Sequence, residues 1–136
     1  MKRILTTLVV ATLAVQAMCQ TINAVTSSPS ALSECTVLLV TATGSLPAGK
    51  VPTNYTFVTA GTTITVSLFT GSGNPGGAYS SPMPLGTFPA GNYTIIVNLI
   101  YNGNTADTET ITRTIAPASN PNSGLATTPT LCTSDP

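Results

Sequence analysis

Two stretches of the chain, at positions 62–70 and 92–101, carry apolar residues at alternate positions. Their apolar faces carry Ile64, Val66 and Leu68 in the first stretch and Tyr93, Ile95, Val97, Leu99 and Tyr101 in the second. A period of two is that of a β-strand with one face on a core and the other in water. Such strands are typical of antiparallel sheets, so the pattern predicts an all-β fold, an antiparallel β-sandwich.

Further runs rich in Thr, Val and Ile predict additional strands and bring the expected number to about seven. These runs occupy positions 21–26, 34–43, 54–59 and 105–115. The pair Asn102-Gly103 tolerates positive φ at both residues and therefore predicts a type I′ hairpin between the last two strands.

The segment 71–84, GSGNPGGAYSSPMP, is rich in Gly and Pro and predicts a long surface loop. Two interpretations of this loop remain open. It is either a solvated connector that crosses from one sheet to the other, or a recognition loop with Gly71, Asn74 and Tyr79 as its candidate residues.

The beginning of the chain has the pattern of an export signal. Lys2 and Arg3 precede an apolar run over 4–17 that is too short to span a bilayer as a helix. We expect cleavage after Cys19, because Ala17 and Cys19 satisfy the preference for small residues. The sequence thus predicts a signal peptide over 1–19, a sandwich domain over 20–116 and a Pro/Asn/Thr-rich linker over 117–136. The product is expected to be secreted or on the cell surface, with no membrane span.

Composition excludes several kinds of function. The chain has no His, only 6% charged residues and a formal net charge of zero. Without imidazole it lacks the usual general base and the usual zinc ligand, so we expect a non-catalytic protein with no cofactor and no metal. A chain with no net charge has no positive electrostatic potential to attract nucleic acid, so we expect no nucleic-acid partner. We interpret Asp107 and Glu109 as a solvated polar face rather than a calcium site, with Arg113 in a weak surface ion pair to Glu109.

Residues 85–95 read LGTFPAGNYTI, and Tyr93 follows Gly91 by two residues at the entry of an alternating strand. Residues 85–115 closely resemble the closing half of immunoglobulin-like and fibronectin-like modules in secreted and surface proteins of Gram-negative bacteria that use type IX secretion. More loosely the resemblance extends back to Gln20. It implies an immunoglobulin-like sandwich in which Tyr93 forms a tyrosine corner, with its hydroxyl returned to the backbone upstream.

The resemblance also bears on the tail and on the cysteines. Residues 120–136 resemble the opening of a further module, so we expect the chain to be the N-terminal part of a larger surface protein. Antibody-type domains carry a cysteine where this chain has Ile95. Cys35 therefore either packs as a buried thiol or bonds Cys132, which would close a loop of about a hundred residues and stabilise by about 4–5 kcal/mol. We expect the thiol, because Cys132 would belong to the next module.

The resulting functional expectation is a non-catalytic spacer or adhesive, recognising module whose partner is an extracellular protein or a glycan. An accessory carbohydrate-binding or targeting domain of a secreted enzyme is the alternative. In that alternative Tyr55, Tyr79 and Tyr101 are the candidate rings for stacking on sugars.

Overall fold

Eight β-strands make up the part of the chain that the structure, a computed structural model, describes: residues 20–74 and 76–118. The predicted leader at 1–19 and positions 119–136 of the predicted linker lie outside it. In chain order the strands are β1 (Thr21–Ser28), β2 (Leu32–Ser33), β3 (Leu38–Leu46), β4 (Lys50–Ala60), β5 (Thr63–Ser72), β6 (Gly77–Gly86), β7 (Gly91–Tyr101) and β8 (Asn104–Ala116). The described residues contain no helix, and the prediction of an all-β fold is confirmed.

The strands form two sheets. One has three strands in the order β1-β3-β6, and the other has five in the order β2-β8-β7-β5-β4. The chain leaves the first sheet after β1, where a cis peptide bond joins Ser28 to Pro29, and the short β2 then pairs with the end of β8. Apolar side chains from both sheets form one buried cluster, so the architecture is that of a β-sandwich.

Alternate residues of the central strands face this core. The fully buried side chains include Leu38 and Val40 of β3, Ile64, Val66 and Leu68 of β5, Met83 of β6, and Ile95, Val97 and Leu99 of β7. Each such burial stabilises the fold by about 1.5–3 kcal/mol. The apolar faces predicted from the period of two in β5 and β7 are confirmed.

The prediction that all neighbouring strands run antiparallel is wrong for two pairs. β2 lies parallel to β8, and β5 lies parallel to β7 with Ile64 opposite Ile95. The period of two could not reveal this, because both kinds of sheet place alternate residues on opposite faces. Between β5 and β7 the chain passes through β6 of the other sheet, so β5 and β7 can lie side by side in the same direction.

The surface loop predicted over 71–84 is also largely wrong. β5 continues to Ser72, and β6 begins at Gly77, so only a short connection remains. Prolines 82 and 84 suggested a loop, but they lie on an outer strand of the three-stranded sheet, where an N–H on the open side needs no partner. The residues that the structure describes accordingly form eight strands rather than about seven.

The turn after β7 was predicted correctly from the sequence, whereas the start of β3 was not. The β7–β8 hairpin is confirmed, since Asn102 and Gly103 have φ values of 50° and 79°. The strand predicted from residue 34 begins only at Leu38. Residues 34–36 form a turn instead, closed by the N–H of Thr36, which donates to the carbonyl of Ser33 at 2.9 Å.

Candidate functional site

The three candidate recognition residues do not share one loop. Gly71 lies in β5, Asn74 is exposed in the short turn after it, and Tyr79 lies in β6. A Cβ on Gly71 would come within 2.5 Å of the Thr53 methyl group, so this glycine allows the close approach of β4. Their role in recognition stays a prediction.

Tyr79 has a structural role that the sequence did not indicate. Its partly buried ring covers Gly44 on the neighbouring strand β3, and its hydroxyl donates to the carbonyl of Thr21 at 3.2 Å. Burial raises the pKa of Tyr79 to about 12, and the negative charge of Asp107 adds to the shift. Tyr79, in β6, therefore bonds the start of β1 across the intervening strand β3.

Asp107 and Arg113 bind the free edge of β1 from β8. The Asp107 carboxylate accepts from the N–H of Ile22 at 2.7 Å. Arg113 donates through Nη2 to the carbonyls of Ser27 at 3.1 Å and Pro29 at 3.2 Å. The interpretation of Asp107 as a solvated residue is wrong for this reason.

The ion pair predicted between Glu109 and Arg113 is also wrong, since no such pair occurs in the described part of the chain. Both residues lie on the core side of β8, where Glu109 is opposite Val97 and Arg113 is opposite Tyr93. Glu109 is exposed there, whereas the Arg113 guanidinium donates hydrogen bonds to carbonyls of β1 and of the turn that follows it.

Glu34 joins three segments at one end of the sandwich. Its carboxylate accepts from the N–H of Ala90 at 2.9 Å and from the N–H of Ala118 at 3.3 Å. These two hydrogen bonds lower the pKa of Glu34 below its ordinary value of 4.5, because they favour the charged form. The turn before β3 is thereby fixed to the loop before β7 and to the chain after β8.

Cys35 is exposed and disulfide-bonded, so the expectation of a buried thiol is wrong. Its partner sulfur lies outside the described residues, as does Cys132. The turn at 34–36 explains the exposure, because it takes Cys35 away from the strand alternation that would have directed its side chain inward.

Tyr93 is 6% exposed, and its ring packs on Phe88 with centroids 5.6 Å apart. Phe88 in turn meets the ring of Phe57 edge-on at 6.4 Å. Gly91 begins β7, and a Cβ there would lie at an ordinary 3.5 Å from the Tyr93 ring. The hydroxyl bond that defines a tyrosine corner is not among the hydrogen bonds of residues 20–74 and 76–118, so the corner stays a prediction.

A cleft of about 390 Å³ opens where the edge of β4 meets the edge of β6. It is lined by Pro52, Thr53, Asn54, Tyr55, Ser81 and Pro82, and we call it the inter-edge cleft. The Tyr55 hydroxyl donates to the carbonyl of Pro84 at 2.8 Å and so fixes the two edges beside it. Hydroxyl, amide and carbonyl groups together with two proline rings offer neutral contacts.

The outer face of the five-stranded sheet carries no charge among the described residues. From β4 to β8 it presents Thr56, Val58, Thr65, Ser67, Phe69, Ile96, Asn98, Ile100, Thr108, Thr110 and Thr112. Neighbouring polar groups pair on this face, as Thr108 does with Asn98 at 2.8 Å. The inter-edge cleft therefore borders a neutral surface.

Within the described residues, no group of three or more His, Cys, Asp or Glu side chains is placed to hold a metal ion, and no helix is long and apolar enough to cross a membrane. Comparisons with protein-family models, curated proteins and solved structures find no match for the chain.

Proposed function

We propose that the chain is a non-catalytic β-sandwich module of a secreted or cell-surface protein. It acts as a spacer or as an adhesive, recognising domain in the N-terminal part of a larger surface protein. The observation that carries the proposal is that the charged side chains form hydrogen bonds to the backbone of the fold itself. Glu34, Asp107 and Arg113 each bond backbone groups distant in the sequence, so they fix the scaffold. None of these bonds forms a pair in which a base activates a nucleophile.

Recognition is assigned to the inter-edge cleft. Its lining combines the ring of Tyr55, the prolines 52 and 82, and the hydroxyl and amide groups of Thr53, Asn54 and Ser81. Neutral polar groups beside flat apolar surfaces suit an uncharged glycan or an uncharged protein segment. The cleft lies between strands of two sheets that are tied together at Tyr55, so it is preorganised.

The immunoglobulin-like assignment has structural support and one departure. The first strand divides between both sheets as β1 and β2, while β3 pairs with β6 and β7 pairs with β8. This arrangement suits an immunoglobulin-like sandwich. The departure is the parallel β5 beside β7, because in the immunoglobulin order the corresponding neighbour is an antiparallel strand.

Export is supported by the disulfide at Cys35. Disulfides persist in oxidising compartments, which include the cell exterior and the bacterial periplasm. The positive and apolar residues of 1–17 fit a signal peptide, and together these features support a secreted or surface location.

The accessory carbohydrate-binding alternative is left with one supporting observation, the inter-edge cleft. Tyr55 and Tyr79 are partly buried and donate their hydroxyls to backbone carbonyls. The ring of Tyr101 is partly buried, with the Lys50 ammonium 5.4 Å from its centroid. Of the three tyrosines, only Tyr55 lines the cleft, so sugar stacking in this alternative falls to Tyr55.

A binding assay with a cleft variant tests the proposal. The purified protein is incubated with insoluble cellulose, chitin and mannan and with immobilised extracellular matrix proteins. We expect Ser81→Arg, which places a cation in the cleft, to abolish binding, and Thr110→Arg on the outer face to leave it unchanged. Equal binding by both variants would contradict the cleft assignment, and release of soluble sugars from any polysaccharide would contradict a non-catalytic function.

A further inference from the structure

The outer half of β4 is an open strand edge. Among the described strands, β5 alone is hydrogen-bonded to β4 within its sheet. As far as Tyr55, β6 of the other sheet lies alongside, but every residue from Thr56 to Ala60 is exposed. Phe57 and Val58 are 39% and 67% exposed, so an apolar segment lies directly beside unpaired backbone groups.

Other edge strands of the described sandwich have features that hinder hydrogen bonding to a strand of another molecule. β6 has prolines 82 and 84, and the free edge of β1 is bonded by the side chains of Asp107 and Arg113. Natural sheets protect their edges with proline, charged residues or bulges. In β4 the proline and the register shift are confined to Pro52–Asn54, and no charged residue occurs between positions 51 and 106.

We propose that the outer half of β4 is a self-association edge, which pairs antiparallel with the same strand of a second copy. A second copy suits this edge because its strand has the same length, the same unpaired groups and no charge to repel. The two five-stranded sheets then form one continuous sheet with a neutral outer face. This inference does not depend on the proposed binding function.

The alternation of side chains fixes the register of the pairing. Residues directly opposite each other must share a face, and the five exposed residues pair completely only when the two-fold axis passes through Val58. Val58 then lies opposite Val58 of the second copy on the outer face. Thr56 is opposite Ala60, and Phe57 is opposite Thr59 on the core side.

Sedimentation analysis of the purified chain over a range of concentrations tests the pairing. We expect a reversible monomer–dimer equilibrium that Val58→Lys weakens by at least about tenfold, because two ammonium groups would oppose each other across the axis and a Val–Val contact would be lost. Thr110→Lys adds the same charge to the same face but on β8, away from β4, and should leave the equilibrium unchanged. A monomeric native chain at every concentration, or dimers unaffected by Val58→Lys, would overturn the proposal.

A cysteine cross-link provides the second measurement and tests the register. Val58→Cys should give a disulfide-linked dimer under mild oxidation, because directly opposed residues of neighbouring strands lie within disulfide reach. Thr110→Cys should give none. Thermal unfolding of each variant at one concentration verifies folding, which substitution at the exposed Val58 is expected to preserve. Cross-linking at Thr110 but not at Val58 would contradict pairing of two copies through the outer half of β4.

Discussion

The ring of Tyr79 lies so close to Gly44 on the adjacent strand that a Cβ on Gly44 would come within 2.8 Å of the ring atom Cε1. On its other side the same Cβ would collide with the carbonyl of Thr21. Glycine at position 44 thus leaves room for the Tyr79 ring and for the close approach of β1.

Gly44→Ala should therefore destabilise the fold by about 1–3 kcal/mol, because β1 and the Tyr79 ring must both move to admit a methyl group. Chemical denaturation monitored by circular dichroism measures the loss. Gly91→Ala is the matched control, since its Cβ would meet only the Tyr93 ring at an ordinary 3.5 Å. An equal loss in the two variants would show that close packing at Gly44 is not the cause.

Titration of Tyr79 should make the fold sensitive to alkali. The pKa is raised from 10.0 to about 12 in the folded state, so the protonated form is favoured by folding. The stabilisation is complete below pH 10 and is lost as the pH rises through 12. Absorbance of tyrosinate should show one phase near pH 12 that is missing in Tyr79→Phe. A native chain whose tyrosines all ionise near pH 10 would contradict this assignment.

Tyr79→Phe should in addition lower stability near neutral pH by about 0.5–1.5 kcal/mol, because the Thr21 carbonyl loses its hydroxyl donor while the ring remains over Gly44. Urea denaturation at pH 7 measures this difference. A loss as large as that of Gly44→Ala would indicate that the ring itself has been displaced.

Glu34 should make the fold sensitive to acid. Its pKa is lowered in the folded state by the N–H groups of Ala90 and Ala118, so its contribution is present above the unfolded value of 4.5 and is lost as the pH falls through the folded value. Glu34→Gln should lower the melting temperature at pH 7 and reduce its fall between pH 5 and 3. Glu109→Gln is the control, because Glu109 is exposed. Identical pH profiles for native chain and Glu34→Gln would refute the role of Glu34.

The disulfide at Cys35 should join Cys132 in the exported protein. Within residues 20–136, which remain once the predicted leader with Cys19 has been removed, Cys132 is the only other cysteine. Mass analysis of peptides from a non-reduced digest should find the segment around Cys35 linked to the segment around Cys132. A link to Cys19 would mean that the leader is retained.

Local patterns in the sequence were sufficient to predict two of the core-forming strands, β5 and β7. β5 and β7 follow from the apolar residues at alternate positions, and the turn at Asn102-Gly103 follows from backbone preferences of those two residues. β6 was missed because Pro82 and Pro84 weigh against a strand unless it is known to lie at an edge. Edge position is a property of the whole sheet and cannot be found in a short segment.

The roles of the charged residues were harder to predict, because they depend on contacts between distant segments. Asp107 reaches Ile22, 85 positions earlier, and Arg113 reaches Ser27. A sequence pattern gives the face of β8 on which both lie, but it does not show that β1 lies against that face. Tyr79 was likewise expected in a loop, and its contact with Gly44 appears only once β6 is paired with β3.

The most direct test of the proposed function is the intact mass of the native product taken from the cell surface, measured before and after reduction. The account predicts a product that is labelled on intact cells, begins at Gln20, exceeds the mass of residues 20–136 and gains two hydrogens for each disulfide reduced. A product that stays inside the cell with residues 1–19 still attached and its cysteines reduced would contradict an exported module.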